Sequence, residues 1–107
     1  MKKIRAIVKR PDELYGHMTY ISDTLENLQR TVEGYIEAVT VITEDPQVVI
    51  ICNEEGRMLG LPHNCKINGI DFCGTIIALG TDGDSFADLP AAVTMKMWKR
   101  DLLRHTP

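Results

Sequence analysis

The sequence predicts an α+β fold, a two-layer sandwich in which about two helices cover one face of a mostly antiparallel sheet, built as one domain over residues 1–107. Three observations carry this. Apolar residues recur at helical spacing in only two places, Leu25-Leu28-Val32 and Ala91-Met95-Trp98-Leu102. Between and before them run β-branched segments that alternate or are continuously apolar. The turns joining successive strands are too short for parallel crossovers, so neighbouring strands must run antiparallel.

The elements follow in order. Residues 3–9 place Ile4, Ala6 and Val8 on one face and Lys3, Arg5 and Lys9 on the other, the pattern of a half-buried strand, with Ile7 out of phase. Pro11 ends it, and 11–22 reads as a connection. Asp23 followed by Glu26 has the form of a capping box that opens a three-turn helix, and Gly34 is expected to close it with a positive φ. Strands are expected over 35–42 and over Val48–Cys52, the latter covered on both faces because it has no polar side. Glu44-Asp45-Pro46 turns the chain between them, and Asn53–Gly56 is expected to reverse it again through Gly56. Arg57-Met58-Leu59 is a possible short return strand, and Gly60–Asn64 a loop. Asn68-Gly69 is a turn, Phe72–Thr81 a strand interrupted by Gly74, and Asp82-Gly83-Asp84 another turn. The last helix is expected to begin at Pro90 and to bury Trp98 in the same core as Leu28.

At 107 residues and 44% hydrophobic, the chain can build one core. A net charge of −3 excludes general nucleic-acid binding, which needs many cationic contacts, and 6% aromatic residues leave little for base stacking. No apolar run approaches membrane-spanning length, so no membrane association is expected. The basic start, Met1-Lys2-Lys3-Ile4-Arg5, has no apolar stretch behind it. With the odd count of cysteines, Cys52, Cys65 and Cys73, it points to a reducing cytoplasm and free thiols.

Charge is distributed unevenly. Residues 1–10 carry five basic side chains, and Lys96, Lys99, Arg100 and Arg104 cluster at the other end. Residues 11–95 hold fourteen acids against Arg30, Arg57 and Lys66. Either the basic ends balance the acidic middle in space, or an acidic face is presented to a basic partner.

Candidate chemistry is sparse. There is no phosphate-binding glycine motif, and a calcium loop opening at Asp82 would need an acid where Val93 stands. His63 and Cys65 make one loose pair where zinc needs four ligands, so no metal and no cofactor are expected. Adjacent Glu54 and Glu55 do not face each other across a cleft as an acid-base pair must. No catalytic residue is assigned. The candidate binding residues are Asn53, Glu54, Glu55, Arg57, His63 and Asn64, a cluster of turn-forming and hydrogen-bonding side chains that a hairpin can project. Asn53 and Asn64 suit turn formation as well as ligand contact.

The segments Leu28–Glu37, with its Gly34-Tyr35-Ile36-Glu37, and Cys52–Asn64, with Asn53-Glu54-Glu55-Gly56 and Gly60-Leu61-Pro62-His63-Asn64, resemble, together with Gly74-Thr75, a domain-of-unknown-function family. Its members are small uncharacterised proteins of phages, plasmids and integrated elements of low-GC Gram-positive bacteria. The resemblance runs from about Leu25 to Asp84 and carries no catalytic residues. It implies an accessory protein of a mobile element in a bacterial cytoplasm. The function expected is non-enzymatic: binding a host protein or sequestering a small ligand, to counter host defence, with a homo-oligomer possible. The alternative is a small enzyme or nucleotide-handling domain that uses loop 53–64 with His63 and Cys65.

Overall fold

The computed structural model describes residues 2–44 and 46–103. Asp45 of the expected turn and Arg104 of the basic C-terminal segment lie outside the described residues. The elements are β1 (Lys3–Lys9), β2 (His17–Ser22), α1 (Leu25–Val32), β3 (Ile36–Ile42), β4 (Val48–Asn53), β5 (His63–Ile67), β6 (Ile70–Cys73), β7 (Ile76–Asp82), β8 (Ser85–Ala87) and α2 (Met95–Met97), which runs on into a π-turn over Trp98–Leu102. The main sheet has the order β2-β1-β7-β4-β3, with β8 added to β7, and every pairing in it is antiparallel. The hairpin β5–β6 forms a separate two-stranded sheet.

Strand alternation sorts the core into two clusters. Ile4, Ala6, Val8, Val49, Ile51, Ile77 and Leu79 pack with Leu28 and Val32 of α1. Ile7, Ile50, Cys52, Ile76 and Ala78 point the opposite way and pack with Ile67 and Phe72 of the hairpin and with Trp98 and Leu102. The helices therefore lie on opposite faces of the sheet, and the expected two layers with both helices on one face are three. Leu28 and Trp98 belong to different cores, contrary to expectation. Both faces of β4 and β7 are apolar, so a helical stripe alone carries no information about which face it meets.

Thr24, not Asp23, caps α1: its hydroxyl accepts from the Asn27 N–H at 3.2 Å. Glu33 (φ 65°), not Gly34, takes the left-handed position. Gly34 is small for another reason, since a Cβ there would sit 2.6 Å from Asn53 Nδ2. The 11–22 connection contains β2, whose His17-Met18-Thr19-Tyr20-Ile21-Ser22 pairs along nearly all of β1. The strand expected over 72–81 is two strands in different sheets. Gly74 (φ +82°) re-aims the chain from the hairpin into the centre of the main sheet. Pro90 and Ala91 precede the last helix, which starts only after Thr94 caps it by accepting from the Met97 N–H. Trp98 anchors it, donating from Nε1 to the Tyr15 carbonyl at 2.8 Å while Lys99 lies over the Tyr15 ring. Among the described residues no helix is long and apolar enough to cross a membrane.

Candidate functional site

Segment 53–62 links the main sheet to the hairpin, and it is not the tight reversal with a return strand that the sequence suggests. Glu54 N–H donates to the Tyr35 carbonyl at 2.8 Å, after which the chain winds through one helical turn. Leu59 N–H donates to the Glu55 carbonyl, Gly60 N–H to Arg57 and Leu61 N–H to Gly56. The last two bonds, with Gly60 at φ +71°, close the turn as a Schellman cap, and Pro62 follows where a helix cannot continue. Gly56 has no positive φ to adopt. Its role is close approach, because a Cβ there would sit 2.9 Å from the Cys73 carbonyl.

Two asparagines fasten the ends. Asn53 is buried at the end of β4. Its Nδ2 donates to the carbonyls of Val32 and Glu33 at 3.0 and 3.2 Å, satisfying the C-terminus of α1, and its Oδ1 accepts from the Glu55 N–H at 2.8 Å. Asn64 is buried on β5. Its Nδ2 donates to the carbonyls of Lys9 and Gly74, both at 2.8 Å, while its Oδ1 accepts from Lys9 Nζ at 2.8 Å. Lys9 is itself 2% exposed. Burial pulls its ammonium below the usual lysine range, opposed by Cys65, Glu13 and Asp12, and the Asn64 amide is its shortest hydrogen bond. Both amides are thus fully engaged with the protein's own backbone and Lys9.

Between these anchors the turn is bare. Met58 is 85% exposed and Leu59 58% exposed, with Glu54, Glu55 and Arg57 also exposed. Among the described residues the Arg57 side chain makes no ion pair. The turn flanks a cleft of about 160 Å³ whose apolar lining includes Val39, Met58, Ile70 and Phe72 and whose acids are Glu37, Glu54, Glu55 and Asp71. Cys52 and Cys73 also line it, and burial, reinforced by Glu37, pushes the Cys52 thiol up to about 11. His63 lies outside the cleft but meets its rim, with Nε2 3.1 Å from Asp71 Oδ1.

The structure therefore brings together Asn53, Glu54, Glu55 and Arg57 of the expected site, ties His63 to it through Asp71, and places Asn64 elsewhere, beside Lys9. Sequence reasoning missed Glu37 and Val39 on β3 and Ile70 and Asp71 on β6, because only the tertiary fold sets these strands beside the turn. Met58 and Leu59, expected in a possible short return strand over 57–59, sit instead in the wound turn. The legible signal was Gly60-Leu61-Pro62, a helix-stop pattern that the preceding acidic and apolar residues could have been read against.

Among the described residues the ion pairs are Arg30–Glu26 and Arg100–Asp101, while His17 and His63 hydrogen-bond with Glu13 and Asp71. Among the described residues lining the cleft, Arg57 is the one cation. Among the described residues no group of three or more His, Cys, Asp or Glu side chains is placed to hold a metal ion.

No curated protein and no solved structure matches the chain. A family described as a domain of unknown function, DUF3846, matches residues 4–102, and the chain belongs to that family.

Proposed function

We propose that this DUF3846 member is a non-enzymatic recognition protein that grips a host protein with the wound turn 55–61 and the acidic cleft beside it. The observation that carries this reading is the pairing of a fixed root with a bare apolar tip. Met58 and Leu59 stand exposed on a turn whose ends are held by two buried asparagines. A folded chain gains nothing from holding apolar side chains rigidly in water, whereas a binding surface gains by losing little entropy on contact. Cleft size favours a protein over a small molecule: about 160 Å³ admits one inserted side chain, while drug-sized ligands occupy roughly 300–1,000 Å³. Carboxylates at the rim favour a partner that presents Lys or Arg beside apolar residues, and disfavour phosphate. Arg57, at the cleft, supplies a guanidinium able to fork onto a partner carboxylate. The Cys52 thiol, with its raised pKa, stays protonated at neutral pH, which supports binding over covalent chemistry.

The mobile-element context, the bacterial cytoplasm and a role in blunting host defence rest on the resemblance of the 25–84 signature. The test is affinity capture from host lysate with the unaltered chain and with Met58→Asp/Leu59→Asp. The altered tip should fold with parental stability and lose a specific partner at least about tenfold. Capture that is indifferent to the tip would place recognition elsewhere on the molecule.

A further inference from the structure

The main sheet ends in two edge strands of very different character. β3 is guarded: it carries Glu37, its register shifts between Thr40 and Ile42, and Asn68 Nδ2 donates to its Val41 carbonyl at 3.0 Å. A charge, a bulge and a capped carbonyl are standard ways of keeping another strand away. β2 has no carboxylate, Lys, Arg or bulge along its pairing length, and its capped carbonyl, on Ser22, lies at its very end. His17-Met18-Thr19-Tyr20-Ile21-Ser22 contains no acid, no Lys or Arg, no Gly and no Pro, and it pairs with β1 in unbroken register from Lys3↔Ser22 to Val8↔His17. Among the described residues no strand pairs with its outer side. Exposed apolar side chains stand at this edge, with Tyr20 63% exposed and Leu25, three residues beyond the strand, 57% exposed.

We propose that β2 pairs antiparallel with β2 of a second copy of this chain, joining the two main sheets into one continuous sheet across a two-fold axis. The occupant is a second copy because this edge is complementary to itself. An axis normal to the sheet brings together residues that point to the same face, so it must pass through a residue and not between two. Centred on Thr19, it sets Thr19 against Thr19, Met18 against Tyr20 and His17 against Ile21. These are a hydroxyl pair, an apolar–aromatic pair and an imidazole against an aliphatic side chain, with no carboxylate, Lys or Arg opposed to its like. Two charged neighbours are already engaged: Arg5, opposite Tyr20 on β1, donates to the Leu89 carbonyl, and Glu13 holds His17. The Thr19 register also leaves Ser22 outside the paired stretch, where Asn27 Nδ2 donates to its carbonyl at 2.9 Å. A register centred on Tyr20 would oppose Ser22 to Met18 and compete with that bond.

The pairing leaves the recognition turn untouched. The turn stands off β4 at the β3 side of the sheet, and β2 closes the other side, so a dimer would present two turns at its far ends and bind a repeated or oligomeric partner with avidity.

The experiment is sedimentation equilibrium on the unaltered chain, on Thr19→Lys and on Thr19→Glu, and on an equimolar mixture of the two variants. The unaltered chain should sediment at twice the chain mass. Each charged variant, opposing its own charge across the axis, should be monomeric and still melt cooperatively. The mixture should return to the dimer mass as a mixed species. A monomeric unaltered chain, or a dimer indifferent to both charges, would overturn the proposal. If the variants fail to fold, amide exchange in the unaltered chain decides. Protection of β2 that grows with protein concentration supports the pairing, and protection independent of concentration refutes it.

Discussion

The two ends of segment 53–64 and its middle are built on opposite terms. At the ends, Asn53 and Asn64 are buried and spend their amides on the protein: one closes the C-terminus of α1, the other holds the Lys9 ammonium and two carbonyls. In the middle, Arg57, Met58 and Leu59 lie open to solvent on a turn held by its own backbone bonds. A run of polar residues in one stretch of sequence is therefore two devices. The asparagines fix a position in space, and the side chains between them are free to meet something else. Polar character alone did not separate the two; burial did.

The sharpest way to break this comparison is Asn64→Ala. It removes an acceptor from a buried ammonium and a donor from two buried carbonyls, and should cost about 3 kcal/mol or more. A near-neutral result in chemical denaturation would mean that Lys9 finds water and that this root is not structural. Asn53→Ala comes next, at about 2–3 kcal/mol. Faster amide exchange at the end of α1 should accompany the loss, since the Val32 and Glu33 carbonyls lose their partner. Gly34→Ala tests the same contact from the other side. Its methyl would fall 2.6 Å from Asn53 Nδ2, and the displaced amide should cost about 1–3 kcal/mol by thermal melting.

At the tip the expected changes in stability are small. Arg57→Ala and Met58→Ser should each move stability by less than about 0.5 kcal/mol while weakening partner binding. A large loss of stability from either would merge tip and root into one structural unit. The smallest effect concerns the thiols. Cys52 and Cys65 are buried, and desolvation pushes both up to about 11, so alkylation near neutral pH should label the half-exposed Cys73 first. The sign for stability follows. The native thiols keep their protons to about pH 11, whereas unfolded thiols ionise near pH 9. Their contribution is complete below about pH 9 and is lost as pH rises through 11. Mass spectrometry of timed alkylation, repeated at rising pH, checks the order of labelling.

Much of the fold was legible from local chemistry. β1, β3 and β4 follow directly from alternating or continuous apolar runs, and Asn68-Gly69 turns the hairpin with both residues at positive φ. β2 escaped because Met18, Thr19 and Ile21 are only half buried on an edge, and a strand that buries little shows little pattern. The site was half legible. Asn53, Glu54, Glu55 and Arg57 do share a cleft, but Glu37, Val39, Ile70 and Asp71 come from strands far off in sequence. Gly34 and Gly56 are small to let a neighbour approach and not, as their sequence context suggests, to turn the chain.

By itself the sequence determined that β1, β3 and β4 extend, that the chain winds as a helix before Gly34 and that it reverses at Asn68-Gly69, because φ/ψ preference, capping and apolar periodicity act over a few residues. It also determined that β4 would be covered on both faces, since Val48–Cys52 offers no polar side. Only the tertiary structure decided that α1 and α2 take opposite faces, that one continuous apolar run is divided at Gly74 between two sheets, and that Asn53 and Asn64 point inward. Those outcomes depend on long-range register and on which carbonyls are left needing a donor once the strands are paired. Neither can be read until distant segments have met.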